Sequence, residues 1–291
     1  MKSYHDIVGD GGSNILEQVA DQKERIARAL SGVRHRVAVG SGKGGVGKST
    51  VTRALAGALA GRGLSVAIAD ADFNGPTQAQ MTGLLGAVPL PGPNGIDLPR
   101  SRDGVGVFSV GGFLGEAEPL DFASVSRGDS HTWRATREFA ALGEVLASVA
   151  WGPLDVLFFD LPPGTERTIQ YAEFLGDGAA FILVTIPSEI SRGVVARSVA
   201  ALAPRRNPVL GYVENMSGYY CADCDRVKPL FPEVRDGVAL DLPCLGRVPF
   251  DPGLAFACDR GLDFNDLPDT SATRALSAIA GRLVESLETL G

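Results

Sequence analysis

A glycine-rich segment around residue 45 constrains the fold more than any other feature of this sequence. It follows the apolar run 37–40 and precedes a stretch at 51–59 that is rich in alanine and leucine. A strand, a glycine loop and a helix in this order are the context in which a P-loop binds phosphate. The motif consists of Gly42, Lys43, Gly44, Gly45, Val46, Gly47, Lys48, Ser49 and Thr50. The sequence therefore predicts an α/β fold with a site for a nucleoside triphosphate.

The residue types in this motif each have a chemical reason. Glycines let successive backbone N–H groups turn toward phosphate oxygens, and the following helix adds the positive end of its dipole. We expect Lys48 to lie on the β- and γ-phosphates and the Ser49 hydroxyl to bind Mg²⁺. The glycine spacing also satisfies a dinucleotide-binding pattern, but that turn needs neither a lysine nor a metal-binding hydroxyl here. The pair Lys48 and Ser49 therefore favours a nucleoside triphosphate with Mg²⁺.

Two predicted strands deliver carboxylates to the same edge of the sheet as the P-loop. The apolar run 64–69 leads into Asp70 and Asp72, and the run 156–159 leads into Asp160. Open α/β sheets bind their ligands at the carboxyl ends of the strands. We expect Asp72 to orient the attacking water and Asp160 to hold Mg²⁺ through a water molecule. The alternative role for Asp70 or Asp72 is to cap the helix that follows.

A Pro-Pro-Gly turn comes directly after Asp160. Gly164 closes this turn, and because it lacks a side chain its N–H can approach a γ-phosphate. Such a turn is able to move when that phosphate leaves. This segment is typical of a nucleotide switch.

The alternation of predicted strands and helices indicates the fold class. Apolar runs at 179–186 and 208–213 predict strands, and helical periodicity predicts helices at 188–203 and 271–290. Strands that alternate with helices form a mostly parallel sheet with helices on both faces. We therefore expect a doubly wound α/β fold built as a single domain.

An amphipathic pattern between residues 14 and 30 predicts an N-terminal arm helix. We expect its apolar stripe to pack on the core of its own chain rather than on a partner subunit. The predicted division places the arm at 1–33 and the P-loop domain at 34–291, with a cysteine-containing loop at 217–235.

Charge and composition narrow the function classes. The net charge of −7 disfavours broad electrostatic binding to nucleic acid or to anionic membranes. The longest apolar runs are far too short to span a bilayer, and the N-terminus lacks the apolar segment of a signal peptide. A cytoplasmic protein is expected, in which four cysteines are not a disulfide framework.

Cys221 and Cys224 form a CxxC pair that we place in a polar loop just after a strand. A thioredoxin-like dithiol would lie at a helix start in a smaller fold, so metal binding is favoured over redox chemistry. Structural zinc and iron–sulfur clusters both need about four thiolates. Cys244 and Cys258 lie in apolar contexts, where a free cysteine behaves as a small core residue. We therefore favour a two-fold dimer in which each chain supplies one pair, with zinc and iron–sulfur both open.

Six segments of the sequence can be compared together with a known family. They are SGKGGVGKST at 41–50, DADFNGP at 70–76, DLPPGT at 160–165, ENMS at 214–217, the cysteine pair at 221 and 224, and PFDP at 249–252. Together they resemble the Mrp/ApbC (Nbp-type) iron–sulfur cluster carrier ATPases, and the resemblance extends from about residue 34 to the C-terminus. Lys43 marks the deviant Walker A motif that MinD, ParA and the nitrogenase iron protein share.

The resemblance implies a SIMIBI-type P-loop NTPase that binds ATP and Mg²⁺ and hydrolyses ATP slowly. Lys43 would reach the nucleotide of the partner subunit in a homodimer, and Lys48 would contact the phosphates of its own nucleotide. Asp72 matches the water-activating acid and Asp160 the acid associated with Mg²⁺. Asn215 matches a residue that contacts adenine.

The resemblance also implies a cargo. Cys221 and Cys224 match the ligands of a [4Fe–4S] cluster that bridges two subunits, and the partners would be cluster donors and apo-proteins that receive the cluster.

Glu166 and Arg167 depart from the family pattern, which has Gly-Asp at these positions, so the hydrolysis rate is open. Two alternatives stay open as well: a MinD/ParA-like positioning ATPase, and an ATPase dimer bridged by structural zinc. The mixed charges of the C-terminal helix, with Arg282 near Glu285, disfavour MinD-like membrane binding.

Overall fold

The computed structural model describes residues 15–113, 131–221, 224, 226–231 and 240–290. Within them, eight strands form one sheet and two more form a small antiparallel hairpin. The strands are β1 (Val33–Ser41), β2 (Val66–Asp70), β3 (Leu90–Gly92), β4 (Gly95–Asp97), β5 (Gly106–Phe108), β6 (Leu154–Asp160), β7 (Ala179–Thr185), β8 (Val209–Cys221), β9 (Arg226–Lys228) and β10 (Cys244–Phe250).

Helices cover both faces of the sheet. They are α1 (Ile15–Ala29), α2 (Lys48–Ala60), α3 (Gln78–Met81), α4 (His131–Ser148), α5 (Thr165–Leu175), α6 (Glu189–Leu202), α7 (Pro252–Arg260) and α8 (Ser271–Glu288).

The strand order is β10-β8-β7-β1-β6-β2-β5, and every neighbouring pair in this path is parallel. Side chains of β1 alternate between two apolar clusters: Val37 and Val39 lie on the α2 and α8 side, and Ala38 lies on the α4 and α5 side. Because successive residues of a strand point to opposite faces, each central strand feeds both clusters and must be apolar throughout. The predicted doubly wound fold is confirmed.

The arm helix α1 packs on its own chain, as expected. Gln22 donates to the carbonyl of Ala140 on α4 at 3.3 Å, and Arg25 pairs with Glu144 at 3.1 Å. Ile26 packs against the apolar cluster on this side of the sheet. Residues 1–14 of the predicted arm lie outside the described residues.

The region around the cysteine pair differs from the sequence prediction. The strand predicted at 208–213 continues to Cys221, and β9 pairs with its end in an antiparallel hairpin, with Tyr219 opposite Lys228. The extension contains two adjacent tyrosines, a residue type that favours strands. The sequence prediction also missed β10, which begins at Cys244. Cys244 is exposed, so its interpretation as a core residue is wrong.

Candidate functional site

The P-loop lies between the end of β1 and the start of α2. Gly45 and Gly47 have φ values of 77° and 80°, a backbone region that favours glycine. Gly47 precedes α2 without giving it a side-chain cap. The first N–H groups of a helix have no partner within the helix, so this 13-residue helix presents donors and a positive dipole end to an anion.

Two other elements press closely against the loop backbone. A Cβ at Gly42 would lie 2.2 Å from Cγ1 of Val194 on α6, and a Cβ at Gly47 would lie 2.2 Å from Nδ2 of Asn215. The Asn215 amide donates to the carbonyl of Val46 at 2.9 Å. Asn215 therefore connects β8 to the P-loop, and its predicted contact with adenine stays a prediction.

Lys48 and Asp160 form a buried ion pair beneath the loop. The Nζ of Lys48 lies 2.5 Å from Oδ1 of Asp160, and the two side chains are 7% and 0% exposed. The same Nζ donates to Oγ of Ser49 at 3.2 Å, and the Thr52 hydroxyl donates to Asp160 at 3.3 Å. Lys48 must leave Asp160 to reach the phosphates. The hydroxyl and carboxylate oxygens collected here are the donor type that Mg²⁺ prefers, so the residues fit a magnesium nucleotide.

The two acids at the end of β2 lie in different surroundings. The carboxylate of Asp70 accepts the backbone N–H groups of Thr77 and Gln78, each at 3.0 Å, so Asp70 is the helix cap that the sequence left as an alternative. Asp70 stands opposite Asp160 in the sheet. The pKa of Asp70 is raised to about 7, mainly by burial and secondly by the charge of this neighbouring carboxylate. Asp72 is partly exposed, and burial is the main cause that raises its pKa.

Gln78 was not singled out from the sequence. It is fully buried at the start of α3, where its Nε2 donates to Oδ2 of Asp160 at 2.8 Å and to the carbonyl of Ser49 at 3.1 Å. Its position 82 residues before Asp160 offers no motif that would reveal the contact. The only signal in the sequence is a glutamine close behind the Asp70–Asp72 segment.

The Pro-Pro-Gly turn after Asp160 is hydrogen-bonded to the end of β1. Gly164 has a φ of 116°, and its N–H donates to the carbonyl of Ser41 at 2.8 Å. This N–H must leave Ser41 before it can contact a phosphate. Arg167 pairs with Glu138 on α4, and Glu138 also accepts a hydrogen bond from Asn74 at 3.0 Å. Glu138 thus connects the helix after the switch to the loop that carries Asp72.

The remaining P-loop residues differ in their exposure. Lys43 is partly exposed and its carbonyl accepts a hydrogen bond from the Ser41 hydroxyl at 3.1 Å, while Gly44 is exposed. Thr50 lies further into α2, where its hydroxyl contacts the thiol of Cys258.

The cysteine pair lies on the hairpin at the far end of β8. Cys221 is the last residue of the strand, and Cys224 is exposed in the turn before β9. The two thiols are in contact, since a hydrogen bond to Cys221 is the main cause that raises the pKa of Cys224. Cys221 lies six positions after Asn215 on the same strand, which is irregular between them, since Met216 has a φ of 53°.

The other cysteines are remote from this pair. Cys244 stands opposite Tyr212, which lies nine positions before Cys221 on β8 and so toward the other end of that strand. Cys258 is buried in α7. In the described part of the chain, no group of three or more His, Cys, Asp or Glu side chains is placed to hold a metal ion. Each chain therefore brings only two thiols together at the hairpin.

Apolar surface surrounds the cysteine hairpin. A cleft of about 1080 Å³ opens beside it, and Tyr220 and Val227 are about half exposed there, at 52% and 48%. Its walls come from β8, β9, β10 and the first residues of α7 and α8, including Tyr219, Tyr220, Val227, Leu230, Phe250 and Arg274.

Comparison with known proteins places the chain among ATPases of one kind. A family model described as "ParA: NUBPL iron-transfer P-loop NTPase" matches residues 32–284. An iron–sulfur cluster carrier protein of Methanocaldococcus jannaschii is 35% identical over 274 residues, which cover 93% of this chain and 91% of the relative. A cytosolic Fe-S cluster assembly factor, the Nubp1 homolog of Drosophila pseudoobscura pseudoobscura, is 33% identical over 91% of this chain and 86% of its own length.

A solved structure supports the same relationship. A nucleotide-binding protein from Archaeoglobus fulgidus in complex with ADP superposes with a TM-score of 0.68 at 30% identity. The match covers 86% of this chain and 98% of that protein. None of the helices in the described ranges is long and apolar enough to cross a bilayer.

Proposed function

This chain belongs to the NUBPL iron-transfer P-loop NTPase family, and on that basis we propose that it is an ATP-dependent iron–sulfur cluster carrier. The observation that carries the proposal is the course of β8. This one strand contacts the P-loop through Asn215 and ends at Cys221 of the exposed thiol pair. A change at the nucleotide therefore has a short covalent path to the cysteines.

All residues of the proposed nucleotide site except Lys43 would come from the chain that binds the nucleotide. Bound Mg²⁺ would supply charge neutralisation on the phosphates. Lys48 would leave Asp160 for the phosphates, the Ser49 hydroxyl would bind Mg²⁺, and Asp160 would hold it through a water molecule. Asp72, which is partly exposed, orients the attacking water. The N–H of Gly164 exchanges the Ser41 carbonyl for the γ-phosphate, and this exchange makes the turn sensitive to hydrolysis.

The cargo site needs two chains. A [4Fe–4S] cluster takes about four thiolates, and each chain brings Cys221 and Cys224. A second copy related by a two-fold axis would supply the other two, with Lys43 reaching across to its nucleotide. The apolar border of the hairpin, including Tyr220, offers surface on which that copy would pack. Apo-proteins would receive the cluster, and the protein would act in the cytoplasm, where thiols stay reduced.

The alternative of a MinD-like positioning ATPase is less well supported. Membrane attachment by a C-terminal helix needs a free apolar face. The apolar face of α8 is buried against α2 and β10, with Leu276, Ile279 and Leu283 each 0% exposed. The other alternative is structural zinc bound at the cysteine pair. The metal analysis that tests for the cluster also tests for zinc.

Iron and acid-labile sulfide content test the proposal on anaerobically purified protein. We expect about four of each per dimer, and loss of both in the double variant Cys221→Ser/Cys224→Ser. Cys244→Ser is the matched control and should keep the full content, because that exposed thiol lies far from the pair. Zinc in place of iron, or four irons per monomer, would contradict a shared cluster.

A further inference from the structure

The orientation of the Gln78 amide follows from its neighbours. Both atoms within reach of Nε2, the Asp160 carboxylate oxygen and the Ser49 carbonyl oxygen, accept hydrogen bonds and cannot donate them. The amide nitrogen must therefore face them. Gln78 thus joins three parts of the site: the P-loop, the acid at the end of β6, and the segment that follows Asp72.

The contact matters most when Lys48 moves. Asp160 is held at Oδ1 by Lys48 and, more weakly, by the hydroxyl of Thr52, and at Oδ2 by Gln78. Once Lys48 lies on the phosphates, Gln78 makes the shortest remaining contact to this buried carboxylate. It keeps Asp160 oriented without neutralising the charge that attracts the metal.

The other end of the amide points to a second partner. Oε1 of Gln78 is buried and has no hydrogen-bond partner within the described ranges. It belongs to the same amide as Nε2, so it lies within about 5 Å of Oδ2 of Asp160. One water molecule with two hydrogen bonds of about 2.8 Å can bridge that separation. Buried polar atoms rarely stay unpaired, so Oε1 would accept a hydrogen bond from a water that enters when Lys48 leaves Asp160.

We propose that Gln78 is a positioning residue of the magnesium nucleotide site. Its Nε2 holds the Asp160 carboxylate in place, and its Oε1 accepts a hydrogen bond from a water in the shell of the metal. The inference rests on the proposed nucleotide binding. It is independent of the cluster, because Gln78 has no part in the cysteine hairpin.

The test is the Mg²⁺ dependence of nucleotide affinity in the full-length protein. Fluorescent ADP is titrated into wild type and Gln78→Leu, in EDTA and at a series of Mg²⁺ concentrations. We expect affinity in EDTA to agree within about twofold, and the Mg²⁺ concentration for half-maximal effect to rise about tenfold in the variant. The backbone N–H of residue 78 still donates to Asp70, so the helix cap survives the substitution.

Two further variants separate a specific effect from a general one. Gln80→Leu is the matched control, since Gln80 lies on the same helix but is exposed, and it should leave both affinities unchanged. Gln78→Ala removes the same amide with a smaller side chain, in case leucine disturbs the buried site, and should shift the Mg²⁺ dependence in the same direction. An unchanged Mg²⁺ dependence, or an equal loss in EDTA, would overturn the inference. Failure of the cluster proposal would appear only in the iron and sulfide content.

Discussion

The nucleotide site and the cysteine hairpin share β8 but differ in how much of each site one chain supplies. At the nucleotide site, Lys48, Asp160 and Gln78 are buried, and both Lys48 and Gln78 contact Asp160 within the chain. At the hairpin, two thiols stand near the surface with no further metal-binding side chain grouped around them in the described residues. The fold itself groups the polar side chains of the nucleotide site. In the proposed dimer, a second copy of the chain would complete the thiol site.

Replacing the P-loop lysine should have the largest effect and should leave the hairpin intact. Lys48→Met removes the cation that faces the phosphates and leaves Asp160 buried without its partner. We expect nucleotide affinity to fall roughly 1000-fold and unfolding free energy to fall by about 3 kcal/mol. Calorimetric titration and urea unfolding measure the two effects, and Lys23→Met on the exposed face of α1 is the control. Loss of iron in Lys48→Met protein that is still folded would show that the two sites are not separately built.

Thiol alkylation at pH 8 should distinguish the cysteines by burial. Burial raises the pKa of Cys258 to about 11 from an ordinary 9.0. A raised thiol pKa lowers the thiolate fraction below that pH, here by about 100-fold, and the thiolate is the reactive form. Cluster-free protein should therefore react with iodoacetamide at Cys258 about 100-fold more slowly than a thiol with the ordinary pKa of 9.0 would, and the exposed Cys244 should react first, as followed by mass spectrometry. Reaction at Cys258 should speed up as pH rises toward 11, and in urea the two rates should converge. Equal rates in the folded protein would contradict the burial of the Cys258 thiol.

The contact between Glu138 and Arg167 should give the smallest effect. Both side chains are partly exposed, at 14% and 21%, so a double-mutant cycle with Glu138→Gln and Arg167→Gln should yield a coupling free energy of roughly 1 kcal/mol in urea unfolding. The matched cycle on Arg206 and Asp177, an exposed pair at 3.9 Å, should give coupling close to zero. We expect ATPase rate to change in the first cycle and iron content to stay constant. If the Glu138 and Arg167 variants changed the iron content, the switch turn would affect the cysteine hairpin, contrary to this prediction.

Interpretations drawn from the sequence succeeded where the deciding features are local. The P-loop motif, the buried strand before Asp160 and the alternation of strands and helices each lie within a short segment. The cap role of Asp70 was foreseen only as an alternative, because an acid after a strand can either cap a helix or face a ligand. The apolar residues next to Cys244 led to the wrong prediction that it is a core residue. Neighbouring residues in the sequence do not distinguish the start of a strand from the interior of a core.

The sequence alone determined the fold class and the chemistry of the phosphate site, because a strand, a glycine loop and a helix in succession specify both. Tertiary structure alone decided which distant side chains meet there. Gln78 reaches Asp160, and Glu138 reaches Arg167 and Asn74, because the order β1-β6-β2 brings their segments to one edge of the sheet. It also decided that the cysteine pair ends the strand that contacts the P-loop. Spacing along the chain does not predict these contacts, because they depend on which strands, separated by scores of residues, lie side by side in the sheet.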